Sequence, residues 1–390
     1  MAYDFDRVID RAGTHALKWE CRERPHADIE VLPMWVADMD FETAPAVRDA
    51  VLRRARHGMY GYTRLPDDYH RATAEWMSRR FDWDIQSGWS VYTPGVVPAV
   101  HFAVQAFSQP GDGVVIQSPV YYPFRWGIEN NGRRVIDNPL RIEKDRYVMD
   151  LEGLERIIDA RTRMVILCSP HNPVGRVWTR EELSGLAEIC RRRDLVLLSD
   201  EIHADLVMPG HVHTPAARLS EEIADITVTC TAPNKTFNIA GLQMANTIIS
   251  NRALRGRFQA AVSGAGIGPV NPFGIEATIA AYREGEDWLE ALLKYLHANF
   301  MFLSDFFAAR LPRVKVYPLE GTYLAWVDFG ALGRSDREMT DRLLRTGKVW
   351  LDGGPMFGAG GEGFQRINIA CPRALLEQGI ERIVLALEAP

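Results

Sequence analysis

Short apolar runs separated by amphipathic stretches recur through the first two-thirds of the chain. Gly113–Gln117, Arg163–Cys168, Leu195–Leu198 and Asp225–Thr231 are rich in Val, Ile, Leu and Thr, and each reads as a strand. Helical patterns lie between and before them. Pro45 opens a helix over 45–57, with Val47, Ala50, Val51 and Arg54 at helical spacing. A second helix covers 67–80, and a third runs from the Pro94-Gly95 turn to about Phe107. Tyr121-Tyr122-Pro123 starts another. Thr179 caps the next, with Glu182 placed to complete a capping box. Apolar strands alternating with helices predict an α/β fold in three layers, its mostly parallel sheet covered on both faces.

Beyond this alternation the pattern changes. Residues 271–309 read as one long helical region that bends near Gly285. The C-terminal part reads as α+β, with strands at Arg313–Tyr317, Thr322–Asp328 and Gln365–Ala370 and a helix around Thr340–Leu344. Arg366 is expected to project from the last of these strands. Gly358–Gly363 has no helix after it to form a phosphate site and reads as a flexible hinge. Near the N-terminus, Leu32–Phe41 is apolar, has no helical period and ends in acids, as expected for a segment laid along a cleft. Gly58–Tyr62 is a loop with aromatic tips. At 390 residues the chain is too long for one simple core. The predicted division is a large domain over 46–285 and a small one built from 1–45 and 286–390.

Composition narrows the function classes. A net charge of −6 argues against a general nucleic-acid or anionic-membrane surface. No apolar run approaches the roughly 20 residues that span a bilayer. The N-terminal Met-Ala-Tyr-Asp-Phe-Asp-Arg lacks the basic and then apolar regions of a signal peptide. The five cysteines are scattered without a C-x-x-C pair, as expected for reduced thiols in a cytoplasmic protein. His211-x-His213 has no third ligand nearby, so it reads as a surface loop and no metal is expected.

The chemistry-bearing residues share a topological position. Asn172, Asp200 and Lys235 each fall just past a predicted strand, where open α/β sheets bind their ligands. Lys235 is expected in a loop closing its strand, where partial burial would lower its pKa and free a nucleophilic amine. The turn into the helix at Val96 and Val97 leaves free backbone N–H groups facing the positive end of a helix dipole, an anion site.

In this order, Asn172-Pro173, Asp200-x-x-His203, Asn234-Lys235-Thr236-Phe237 and Arg366-x-Asn368 resemble the fold-type I pyridoxal-phosphate enzymes, the aspartate-aminotransferase superfamily. More narrowly, the chain is similar to the carbon–sulfur β-lyases that include the maltose-regulon modulator and bacterial cystathionine β-lyases. That likeness is carried by Lys18-Trp19-Glu20, Leu32–Phe41, Tyr60–Thr63, Thr93–Ala99, Ser118–Phe124, His171–Thr179, Ser199–His203, Lys235–Leu242 and Phe364–Arg373. The resemblance implies pyridoxal 5'-phosphate as cofactor, bonded covalently to Lys235. Asp200 would pair with the pyridine nitrogen. Asn172, with His203, would meet the phenolic oxygen, and Tyr121 would stack on the ring. Val96 and Val97 would hold the phosphate. Tyr62 would reach that phosphate from a neighbouring subunit, implying a homodimer. Arg366 would clamp the substrate carboxylate, with Val36 and Ala37 lining the same pocket.

The chain departs from the superfamily where many members carry a phosphate-binding arginine, here Gln243, and at Ala232 and Asn234 before the lysine. Thr231 or Tyr62 would compensate. The implied activity is β-elimination of L-cystathionine or a related S-substituted L-cysteine. An aminotransferase shares the same cofactor, lysine, aspartate and arginine, and one relative of the branch sequesters a transcription activator instead.

Overall fold

The computed structural model describes residues 3–20 and 29–388. Cys21 lies outside them. Seven strands form the central sheet, in the order Ser90–Thr93, Ala245–Ile248, Thr227–Thr231, Val196–Asp200, Thr162–Cys168, Gly113–Ile116, Arg134–Asp137. Ala245–Ile248 is antiparallel to both its neighbours, and the remaining pairs are parallel. This strand was not anticipated, because Ala245-Asn246-Thr247-Ile248 is a mixed run behind a loop. The sheet core is closely packed, with Val114, Val165, Leu197 and Val228 fully buried.

Most predicted helices appear where expected: Pro45–Arg56, Asp67–Phe81, Val96–Phe107 and Arg180–Arg192. The last opens on the complete capping box between Thr179 and Glu182. The long helical region breaks at Gly285 into Pro272–Glu284 and Glu286–Arg310. A Cβ at Gly285 would stand 2.4 Å from the ring of Phe237, which explains a glycine at the break.

Several local expectations are corrected. The strand before Lys235 begins at Thr227, because Glu221–Ile226 is a helix capped by Ser220. Asp200 is the last residue of its strand rather than just past it. His213 does not sit at the surface. It is buried, and its Nε2 lies 2.9 Å from Oε2 of Glu201, which also accepts from Ser199; only His211 of that pair is exposed. Gly358–Gly363 forms a hydrogen-bonded turn rather than an open linker, the Gly361 N–H donating to Gly358 O and the Gly363 N–H to Asp336. It approaches its neighbours closely at two points: a Cβ at Gly361 would stand 2.0 Å from the Gly354 carbonyl oxygen, and one at Gly358 3.1 Å from the Ser118 side chain.

A second, antiparallel sheet contains Lys315–Val316, Leu324–Asp328, Phe364–Asn368 and Asp352–Gly353. Arg366 lies between Trp326 and Asp352 in its register. Its side chain is buried, 2% exposed.

The N-terminal segment joins the two sheets. Leu32–Pro33 pairs in parallel with Val349–Trp350. From Trp35 to Met39, successive backbone carbonyls are met by side chains. Trp35 O accepts from Arg366, Val36 O and Asp38 O from Asn368, Ala37 O from Tyr323 and Lys235, and Met39 O from Asn238. An extended segment has no ladder of its own here, so its buried polar groups need these donors. Beneath it, the ammonium of buried Lys18 lies 2.7 Å from Asp40, which also accepts from Arg11 and the Trp19 indole. Lys18→Met should lower the unfolding free energy by about 2 kcal/mol. That is less than the roughly 3–5 kcal/mol of a fully stranded buried ion, because Arg11 and Trp19 still serve Asp40. Urea denaturation reads this difference, and an unchanged midpoint would show that the pair contributes nothing.

Candidate active site

Loops at the carboxyl ends of the parallel strands enclose a cavity of about 280 Å³. Its lining includes Ala37, Val96, Val97, Tyr121, Asn172, Asp200, His203 and Lys235. Eight of the residues expected from sequence therefore meet in one space. Cys168, Asn234 and Gln243 also line it and were not anticipated as such.

Lys235 stands in a one-turn helix, Pro233–Thr236, rather than in a loop. Pro233 occupies the first helical position, where its missing N–H costs nothing. The helix is pinned by Thr236, whose hydroxyl donates to the buried carboxylate of Asp205 at 2.9 Å. Asp205 is braced in turn by the Trp76 indole at 3.1 Å. The Lys235 ammonium donates to the Ala37 carbonyl. Burial lowers its pKa to about 8, Arg366 acting in the same direction and Asp38 and Asp200 opposing it.

Asp200 lies across from Cys168 on one neighbouring strand and Cys230 on the other. Thiols there offer little solvation, and burial raises the Asp200 carboxyl to about 7, against a bond from the Ile202 N–H and the attraction of Lys235. An anion so placed gains from a cationic partner in the cavity. His203 is depressed to about 3 by burial and then by the charges of Lys235 and Arg366, so its imidazole is neutral. Its Nδ1 has no partner among the described residues.

At the other end of the cavity, the helix Val96–Phe107 begins at Gly95. Pro98 has no N–H, so the first-turn donors it leaves are those of Val96 and Val97. They face the cavity with the positive end of the helix dipole. Asn172 accepts from Arg366 Nη1 through its Oδ1 at 2.9 Å, which leaves its Nδ2 donor for the cavity. Tyr121 packs edge-on against Phe124, and burial raises its phenol pKa.

The other four expected residues stand apart from the cavity lining, Arg366 behind Asn172, to which it donates. Thr231 is buried at the end of its strand, with an unpartnered hydroxyl. Val36 contributes its carbonyl to Asn368. Tyr62 is 97% exposed. Tyr323 was missed: its hydroxyl, fully buried, donates to Ala37 O at 2.9 Å beside the Lys235 amine. It falls in a predicted strand, where a tyrosine reads as core.

Residues 29–383 match the family described as aminotransferase class I and II. The chain belongs to that family. It is 45% identical over 386 residues to cystathionine beta-lyase PatB of Bacillus subtilis, covering 98% of this chain and 100% of that one. Among solved structures, it is similar to cystalysin of Treponema denticola, which contains pyridoxal 5'-phosphate, with a TM-score of 0.95 and 40% identity over 100% of this chain and 99% of that one. It is also similar to the PLP-bound C–S lyase of Staphylococcus hominis, with a TM-score of 0.93 and 33% identity over 100% and 99% of the two chains.

The cavity fits that cofactor. It offers a buried carboxylate, a lysine amine, two free amides at a helix N-terminus and the unpartnered Nδ1 of His203. In cofactor-free protein, acylation of Lys235 by an amine reagent should rise with pH through about 8 and level off above it, whereas an ordinary lysine rises near 10.5. The neutral amine is the reactive form, so the lowered pKa moves the curve to lower pH. Peptide mapping by mass spectrometry follows it, and a midpoint near 10.5 would contradict a desolvated amine.

Proposed function

We propose that this member of the family is a pyridoxal-phosphate-dependent carbon–sulfur β-lyase. It eliminates the thiol from L-cystathionine or a related S-substituted L-cysteine and yields pyruvate and ammonia. The observation that carries the reading is the convergence of Lys235, Asp200, Asn172 and the Val96 and Val97 amides on one cavity, in a chain 45% identical to a cystathionine beta-lyase.

Bound pyridoxal phosphate supplies an electron-withdrawing ring that acidifies the substrate Cα–H. Lys235 holds the cofactor. Once free, its amine takes the proton from Cα, a task suited by a pKa of about 8. Asp200 keeps a proton on the ring nitrogen, because a buried carboxylate favours a cationic partner. The Asn172 Nδ2 and His203 would serve the phenolic oxygen, and Tyr121 would stack on the ring. The Val96 and Val97 amides would hold the phosphate, with Thr231 or Tyr62 compensating for the arginine replaced by Gln243. Arg366 clamps the α-carboxylate, and Val36 and Ala37 carry the wall of that pocket. The β-thiolate would leave as a thiol by taking a proton from the Lys235 ammonium or a nearby acid, and the aminoacrylate released would be hydrolysed by water to pyruvate and ammonia.

In this reading residues 46–285 carry the cofactor, and 1–45 with 286–390 bring Arg366 and the N-terminal wall. The protein acts as a homodimer in which Tyr62 crosses to the partner's phosphate site. Its 97% exposure in a single chain supports that. The four described cysteines are all free and buried, in keeping with a reducing cytoplasm. Among the described residues no helix is long and apolar enough to cross a membrane.

Incubation with L-cystathionine and no keto acid should release pyruvate and free thiol together, over many turnovers. Cofactor bleaching by amino acid, with recovery only on adding a keto acid, would instead identify an aminotransferase. Lys235→Ala should abolish turnover and the absorption band of the covalently held cofactor, and a fully active variant would sink the assignment. Tyr62→Phe should weaken cofactor retention on dialysis several-fold without altering the mass measured by light scattering. Undiminished retention would remove Tyr62 from the phosphate site.

A further inference from the structure

Arg366 arrives at the site already holding a carboxylate. Its Nη2 donates to Asp352 and to the Trp35 carbonyl at 3.0 Å, and its Nη1 donates to Asn172 Oδ1 at 2.9 Å. Of the five N–H donors of a guanidinium, these bonds engage three. Nε is buried and has no partner among the described residues. Asp352 is 4% exposed and directly opposite Arg366 in the antiparallel register, so the two side chains share one face of the sheet. The guanidinium also lies over the Phe357 ring, 4.9 Å from its centroid, which closes one of its faces.

Arginine reads a carboxylate best through two parallel N–H bonds from one edge. One edge is formed by Nε and Nη2, the other by Nη1 and Nη2. Both edges need Nη2, and both of its hydrogens are taken, by Asp352 and by Trp35. The Trp35 carbonyl belongs to the pinned N-terminal segment and cannot swing away alone. A side-chain carboxylate can.

We propose that Asp352 is a stand-in for the substrate: it occupies the reading edge of Arg366 in the resting protein and yields that edge when an α-carboxylate docks. The inference rests on Arg366 being the carboxylate clamp. The resting pair spares the protein an uncompensated buried guanidinium. It also raises the threshold for docking, since any incoming anion competes with a carboxylate that is already tethered. Asp352 does not touch the reacting atoms. It tunes how tightly carboxylate ligands hold.

The test uses calorimetry of the cofactor-loaded protein with methylthiopropionate, a thioether carboxylate that has no amine and cannot react. Asp352→Asn removes the competing charge but keeps an oxygen for Arg366, and it should bind this probe about tenfold more tightly than the wild type, equivalent to about 1.4 kcal/mol. Arg366→Ala should lose binding. Asp352→Ser also removes the charge and stands in if the Asn variant does not fold. If Arg366→Ala loses binding while the Asp352 variants bind equally or more weakly, Asp352 only braces the arginine; the proposal falls and the clamp survives. If Arg366→Ala binds like the wild type, Arg366 is not the clamp and both readings fall.

Discussion

The site depends on the parallel sheet ending at one edge. Parallel strands deliver their carboxyl ends to the same side, and the turns that follow cannot continue the ladder. Gly95-Val96, Tyr121, Asn172, Asp200 and Lys235 each occupy such an end, and they come from five different strands. The antiparallel Ala245–Ile248 does not disturb this, because it lies between two strands that still point the same way. Groups more than a hundred residues apart thereby share a cavity without any local contact in sequence.

Charge burial is the second constraint. Lys235, Asp200, Arg366 and Asp352 are each partly or wholly withdrawn from water, and each is held close to a neutralising or hydrogen-bonding partner. Withdrawal shifts the lysine down and the aspartates up, the direction that brings their titrations toward neutrality. The N-terminal segment supplies carbonyls rather than charges. It offers Ala37 O to Lys235 and Trp35 O to Arg366, so one extended piece of backbone sets the position of both cations. Tyr323 and Asn368 hold that backbone from the second sheet.

Much of this was legible in the sequence, because the signals are local. Alternating apolar strands and helices predicted the sheet, and the capping box at Thr179 and the break at Gly285 appear where the pattern put them. The position of Asn172, Asp200 and Lys235 at strand ends could be read from where the apolar runs stop. The errors share a cause. His213 and the Gly358–Gly363 turn are read from their own neighbours in sequence, whereas Glu201 and Gly354 with Ser118 decide their environments.

By itself, the sequence determined the layered fold and which candidate groups fall at strand ends, since periodicity and strand-end position need only nearby residues. Only the tertiary structure decided which groups are buried, what each one holds and in what protonation state. It placed Asp352 against Arg366, Tyr323 against the Ala37 carbonyl and thiols beside Asp200. The physical reason is that desolvation and hydrogen-bond pairing are properties of packed neighbours, and those neighbours are brought together by strand register rather than by spacing along the chain.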